Sequence, residues 1–355
     1  MAFDQQIFLL QRHGGITRYV VGLIGAFDEY PELGVSADLP FRWGNSAAAA
    51  GLPQHEIRDL RNRAARRVMV PLSPRLHGRR YRAADVLHHT FYHPRYLTSG
   101  GGTPRVVTVY DMIPELFPDQ VPAGVHLAKE RYVRAADVVL AISESTRRDV
   151  LARYPGLTTP VVVTPLGVDP VFAAGGPDPG GGRRYVLHVG LRSGYKDFAV
   201  LLRAVAGLAD RDVGVLAVGG GPWTNRERDL LRDLDLTGRA SQRDLTDSGL
   251  AGAYQHAAVV AVPSRYEGFG LPVVEAMSAG SPVVAADASS LPEVGGAAAR
   301  YFTPGDADAL REELSSILGG QTPRADMVGA GLARAAQFTW LRTAEATAAA
   351  YATLR

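Results

Sequence analysis

Short, nearly unbroken apolar runs alternate with helical patterns along this whole chain. Residues 6–10 read as a first strand, leading through HGG into the helical ITRYVVGLIGAF. RVVTVYDM, DVVLAIS, RYVLHVG, VGVLAVGG, AAVVAVPS and SPVVAAD are each followed by a helix-like segment, with Ser143 as the N-cap of one. Strands that are apolar throughout are buried on both faces, and strands separated by helices pair in parallel. The pattern restricts the chain to doubly wound α/β units. It pauses once, in the Pro- and Gly-rich residues 164–182, before RRYVLHVG restarts it. Two α/β domains with a limit near residues 172–182 are expected, as the length of 355 residues also suggests. Ligands of such sheets bind beyond the carboxyl ends of the strands. The loops just after strands, expected to converge on one cleft, are therefore where chemistry is to be sought.

Composition narrows the classes. With no Cys, disulfides, Cys-ligated zinc and a Cys nucleophile are excluded. A net charge of +2 gives no argument for nucleic acid. No apolar run approaches the roughly 20 residues that span a bilayer, and the first 11 residues lack the charged start of a signal peptide. Cytoplasmic is the default reading. Only Lys129 and Lys196 are lysines, against 36 arginines. In that background a Lys among motif-like residues carries unusual weight.

Residues 267–276, EGFGLPVVEA, set Glu267 and Glu275 around a glycine-broken turn that is otherwise apolar. Gly268 and Gly270 let backbone approach a ligand. Pro272 suits a helix start, whose free amides and dipole favour an anion such as phosphate. Carboxylates on either side of a phosphate suit sugar hydroxyls, to which they are strong acceptors. The plainer alternative makes Glu275 a complement to the helix dipole and Glu267 a loop residue. In LHVGLRSGYKDF, Gly190 ends a strand and Arg192 and Lys196 follow, a pair suited to a diphosphate; the alternative is surface charge. Gly14 and Gly15 form a strand-to-helix turn that can offer amides to phosphate. GGGPW at Gly219 reads as a turn: it lacks the third Gly of a dinucleotide fingerprint and carries Pro222 inside it. His89, Tyr110 and Asp111 stand at strand ends, where they suit an acceptor or proton transfer, or else packing. Asp233 with Asp235, and Asp306 with Asp308, are read as chance pairs, and no metal is expected. Residues 58–82 hold nine Arg and one Asp beside a rough apolar stripe, which suits either an anionic membrane surface or a solvated helix.

Together these stretches resemble the family 4 retaining glycosyltransferases of the GT-B fold, over nearly the whole chain. The most specific part is SRYEGFGLPVVEAMSAGSPVVAAD, which carries that family's E-x7-E motif at Glu267 and Glu275; GGITRY, YDMIPELFP, AISESTRRD, TPLGVD and LTDSGLAGAYQHA are further family-like stretches. The resemblance implies two Rossmann-like domains facing a cleft: residues 1–172 on the acceptor side, 173–337 for the donor, and 338–355 as a helix crossing back to the first. It implies metal-independent, front-face transfer of a hexose-type sugar from a UDP- or GDP-sugar to a hydroxyl of a glycan, glycolipid or small molecule, without a cofactor. Glu275 would hold the ribose and Glu267 the transferred sugar. The amides of Gly268, Phe269, Gly270 and Leu271 would meet sugar and phosphate. Lys196 and Arg192 would neutralise the diphosphate, with Gly14, Gly15 and Gly190 beside it. Asp111 is a catalytic candidate; His89 and Tyr110 are acceptor-side candidates. Lipid-linked acceptors would bring residues 58–82 to the inner face of the cell membrane. The rival readings are a nucleotide-sugar epimerase or hydrolase on the same fold and a non-catalytic nucleotide-sugar binding protein. Sugar, base, acceptor and oligomeric state are not legible.

Overall fold

The structure, a computed structural model, describes residues 1–10, 14–37, 42–43, 57–58, 63–120 and 125–354. The chain falls into two units, Met1–Gly167 with Thr339–Arg355, and Val168–Phe338. Phe172, at the expected limit, is buried edge-on against Tyr254, with ring centroids 5.6 Å apart. That packing draws residues 168–172 into the second unit, so the limit stands at Gly167 and not at Phe172.

The first unit is built on a parallel sheet of β1 (Ala2–Phe3), β2 (Leu87–His89), β3 (Arg105–Val109), β4 (Val138–Ala141) and β5 (Val161–Val163), in that order. The inner strands are Val-rich and buried on both faces, as unbroken apolar runs require. Residues 6–10 are not the first strand; Gln6–Leu10 is a short helix and β1 lies before it. The buried Asp4 carboxylate explains the change. It accepts from the backbone N–H of Gln6 and Thr90 and from the Thr90 hydroxyl, which turns the chain out of the sheet after two residues. The Gly15–Glu29 helix follows. Ser143 caps Glu144–Arg153, its hydroxyl accepting from Thr146 N–H at 3.0 Å.

The last helix, Trp340–Ala352, belongs to this unit. The Trp340 indole lies flat on Gly22 and its backbone on Gly167, where any Cβ would overlap. At the other end the Tyr351 hydroxyl meets His88 Nδ1 at 2.7 Å, and His88 Nε2 meets the Thr108 hydroxyl at 2.8 Å. A buried His satisfied on both nitrogens is cheap only while neutral. Burial accordingly holds His88 down at about 3.

The second unit carries β6 (Tyr185–Val189), β7 (Gly214–Val218), β8 (Ala240–Arg243), β9 (Val259–Val262), β10 (Val283–Ala286) and β11 (Arg300–Phe302). All pairs are parallel, in the spatial order β8-β7-β6-β9-β10-β11. The chain winds outward from β6 to β8, then returns to the other side of β6 with β9. The strand order therefore reverses between β6 and β9. The loops after such a pair part to opposite faces of the sheet and leave a crevice at its carboxyl edge, where open α/β sheets take their ligands.

Candidate active site

Both loops at that reversal carry the expected residues. After β6, the chain passes Gly190, at φ 122°, and makes one 3-10 turn, Gly194–Lys196, before the Phe198–Ala206 helix. After β9, residues 263–270 lead to the Leu271–Ser278 helix, whose N-cap Gly270 is left-handed at φ 101°. A backbone bond from Arg265 N–H to the Tyr195 carbonyl, 2.8 Å long, joins the two loops. Across it, Lys196 Nζ meets Glu267 Oε1 at 2.7 Å, and the Ser264 hydroxyl donates to the same oxygen at 2.7 Å. The Lys196 side chain keeps 16% exposure and Glu267 11%. The pair is screened from bulk water yet open on one side, where a charge is worth more than at the surface.

Glu275 is buried in the Leu271–Ser278 helix, past its first turn, so complementing the helix dipole does not account for it. The Tyr254 hydroxyl donates to Glu275 Oε2 at 2.7 Å and fixes the carboxylate. Pro272 takes the second helical position, where its missing N–H costs nothing. Phe269 is buried edge-on to Phe338 at 5.6 Å, so its side chain anchors the turn and only its backbone is left for a ligand. Beneath the Lys196–Glu267 pair lies His188, fully buried, with Nε2 at 3.0 Å from the Leu191 carbonyl. Burial, together with the nearby Lys196 charge, holds it down at about 4 against the opposing Leu191 bond, so its ring is neutral.

Arg192 is turned to the 219–223 loop and Glu227. Its guanidinium pairs with Glu227 at 2.7 Å and donates to the Gly219, Gly221 and Pro222 carbonyls, and it stacks on Trp223 at 4.6 Å. Its donors are spent on the 219–223 loop, whose three glycines all have positive φ. Burial pushes the Glu227 carboxyl up, but bonds from Arg192 and Thr224 outweigh it and hold it below its ordinary value. The GGGPW segment, read as a simple turn, is thus the socket of Arg192.

In the first unit, Gly14 caps the Gly15–Glu29 helix and both glycines are exposed; His13 of the same loop lies outside the described residues. Asp111, 28% exposed, accepts from Ile113 N–H at 3.0 Å and faces Lys129 at 3.6 Å. Lys129 itself is buried and held by Glu115 at 2.8 Å. The acceptor-side candidates His89 and Tyr110 are sealed in the core. His89 Nδ1 bonds to Asp4 at 2.7 Å, and the Tyr110 hydroxyl donates to the Thr90 carbonyl while its ring packs edge-on to Tyr19. Both are thus turned into the core of the unit, away from solvent.

The basic segment is not one continuous element: Ile57–Arg58 is a strand and Arg63–Ala83 a helix. Side chains of residues 58–71 lie outside the described ones. Beyond them Leu72 and Leu76 are exposed, at 40% and 63%, beside exposed Arg75 and Arg79. No helix among the described residues is long and apolar enough to cross a membrane.

Comparison with known proteins identifies the family. Residues 13–172 match the model described as "Glycosyltransferase Family 4", and residues 183–319 the one described as "Glycosyl transferases group 1". A D-inositol 3-phosphate glycosyltransferase of Kribbella flavida is 30% identical over 96% of this chain and 91% of its own length. The MMP alpha-(1->4)-mannosyltransferase of Mycolicibacterium hassiacum is 32% identical over 63% of this chain, which spans 56% of that protein. Among solved structures, Anabaena HepE in complex with UDP and glucose superposes with a TM-score of 0.75 over 99% of both chains, at 19% identity, a likeness of fold. The chain belongs to the family 4 glycosyltransferases and is a glycosyltransferase of the GT-B fold.

Proposed function

We propose that this glycosyltransferase moves a hexose-type sugar from a UDP- or GDP-sugar to an acceptor hydroxyl of a glycan, glycolipid or small molecule, with retention and without a metal. The observation that carries the reading is the Lys196–Glu267 pair at the strand-order reversal, beside a helix whose carboxylate Glu275 is held ready by Tyr254. A diphosphate would draw the Lys196 ammonium away from Glu267 and rest on the first amides of the Leu271–Ser278 helix. Glu275 would take the ribose hydroxyls, and the released Glu267 the transferred sugar. The bond from the anomeric carbon to the diphosphate breaks while the acceptor oxygen bonds to that carbon on the same face. The acceptor proton passes to the departing phosphate oxygen. Charge developing on the diphosphate is met by fixed protein charges, and no protein nucleophile is needed. Acceptor recognition is assigned to the first unit, with Asp111 as its partly exposed carboxylate. The relatives' names, a mannosyltransferase and inositol-phosphate glycosyltransferases, and the UDP and glucose in HepE support the donor class.

A thermal-shift screen with UDP-, GDP- and ADP-sugars tests this. One nucleotide sugar at a hundred times its Kd should stabilise the protein by about 2.7 kcal/mol, in EDTA as well as with Mg²⁺. Lys196→Ala should abolish that shift and lower kcat/KM by the equivalent of roughly 2–4 kcal/mol. Arg192→Ala should lower the Tm of the free protein and keep the ligand shift. No shift with any donor, or one that requires a divalent metal, would overturn the reading.

Peripheral contact with an anionic membrane is also proposed, carried by the exposed Leu72 and Leu76 among arginines on one helix. Each basic residue near an anionic surface contributes about 1 kcal/mol. Co-sedimentation should occur with anionic vesicles and not with neutral ones; equal, negligible binding to both removes the proposal.

A further inference from the structure

The proposed role of Glu267 depends on a loop residue holding one orientation through the reaction. Nothing in the E-x7-E spacing explains how it does so. The structure supplies the means from another strand. The loop after β10 brings two adjacent serines to the Glu267 backbone. The Ser289 hydroxyl accepts from Glu267 N–H at 2.8 Å, and the Ser290 hydroxyl donates to the Glu267 carbonyl at 2.9 Å. Together with Ser264 and Lys196 on the carboxylate, these bonds engage the main chain of Glu267 on both sides and its side chain at one oxygen.

Ser289 is held in the left-handed region, at φ 48°, one of three non-glycine residues with positive φ among those described. A side chain there is strained, and glycine would relieve it. Glycine, however, carries no hydroxyl to receive the Glu267 amide. The strained residue therefore sits where its side chain is bonded to the candidate sugar-binding carboxylate's own backbone, as strain at functional sites does. Ser290 is fully buried and has its hydroxyl on the opposite side of the same residue.

We infer that Ser289 and Ser290 are positioning residues that fix the Glu267 backbone, so that its carboxylate stays on the transferred sugar after Lys196 turns to the diphosphate. The inference rests on the reading of Glu267 given above. It separates two properties that a structural role would move together. Ser289→Gly removes the acceptor and the strain at once. Its Tm should stay level or rise, while kcat falls about tenfold and the affinity for the free nucleoside diphosphate is unchanged. Ser289→Ala removes the acceptor and keeps the strain, so kcat should fall similarly with a lower Tm. Ser290→Ala should also lower kcat with little change in nucleotide affinity. In a Glu267→Ala background, Ser289→Gly should cause no further loss.

Kinetics, calorimetric titration with UDP and GDP, and thermal melting of these variants beside Glu267→Ala decide the matter. If Glu267→Ala loses turnover while Ser289→Gly and Ser290→Ala keep it, the positioning role is overturned and the reading of Glu267 stands. If Glu267→Ala keeps turnover, that reading itself fails. If Ser289→Gly loses Tm and nucleotide affinity together, the serines merely hold the loop folded.

Discussion

Glu267→Ala should lower kcat by about 10²- to 10³-fold and leave nucleoside diphosphate affinity intact or tighter, whereas Glu275→Ala should do nearly the reverse. The asymmetry follows from what each carboxylate touches. Glu275 is fixed by Tyr254 and assigned to the ribose, which does not change during the reaction. Its contact is uniform binding, so losing it raises the donor KM and weakens the free nucleoside diphosphate with kcat largely preserved. Glu267 is assigned to the sugar, where positive charge develops at the anomeric carbon, so its loss appears in kcat. Removing Glu267 also frees Lys196 from a 2.7 Å pair. The ammonium no longer has to be separated from a carboxylate before it meets phosphate, and the diphosphate binds at least as well. Steady-state kinetics with calorimetric titration of UDP and GDP measure both effects. Loss of nucleotide affinity in Glu267→Ala with retention in Glu275→Ala reverses the assignment. Changes below about threefold in both variants, roughly 0.65 kcal/mol, would end the E-x7-E reading of this segment.

Mild acid should destabilise both units through two buried histidines. His88 in the first unit is held at about 3 and His188 in the second at about 4, each chiefly by burial. An unfolded His takes up its proton near pH 6.5. Above that pH both states are neutral at these sites and stability is at its full value. Between pH 6.5 and the folded values only the unfolded chain is protonated, so stability falls as pH falls. Each His contributes a slope of about 1.4 kcal/mol per pH unit. The loss accumulates to roughly 5 kcal/mol for His88 and roughly 3 kcal/mol for His188. Melting curves should show Tm dropping steadily from pH 6.5 to 5, a window above the carboxylate range. A Tm that is level across that window would mean that neither ring is as enclosed as its hydrogen bonds to Tyr351, Thr108 and Leu191 require.

The parallel sheets were legible because both faces of each strand are covered, which leaves continuous Val and Ala runs such as those of β9 and β10. The first strand was misread because Ile7, Phe8 and Leu9 are buried in a short helix. A five-residue apolar run has no period long enough to tell the two apart. At the site, Glu267, Glu275 and Lys196 stood out by residue type and by the glycines beside them. The partners of Arg192 were not legible because charge spacing says nothing of them: Glu227 lies 35 residues away and Trp223 follows what looked like an ordinary turn. His89 and Tyr110 stand at strand ends, but Asp4 and Thr90 draw them inward. Ser289 and Ser290 carried no signal, since a serine pair after a strand is a common helix start, and only the fold brings them to Glu267.

The path of the chain through its two units bears on how it is made. The first unit is interrupted at Gly167 and resumes at Thr339, and the second occupies the gap. The ends of the inserted unit lie together, with Val168 N–H bonded to the Phe338 carbonyl at 3.0 Å. During synthesis the first unit therefore emerges in two instalments. Its sheet is complete in sequence after β5, but His88 waits for a hydroxyl 263 residues downstream. Until the ribosome has released that segment, the pocket for Trp340 on Gly22 and Gly167 is bare. The inserted unit, with adjacent ends and its own sheet, can close on itself first. The chain order thus lets the inserted unit close before the first unit has all of its segments.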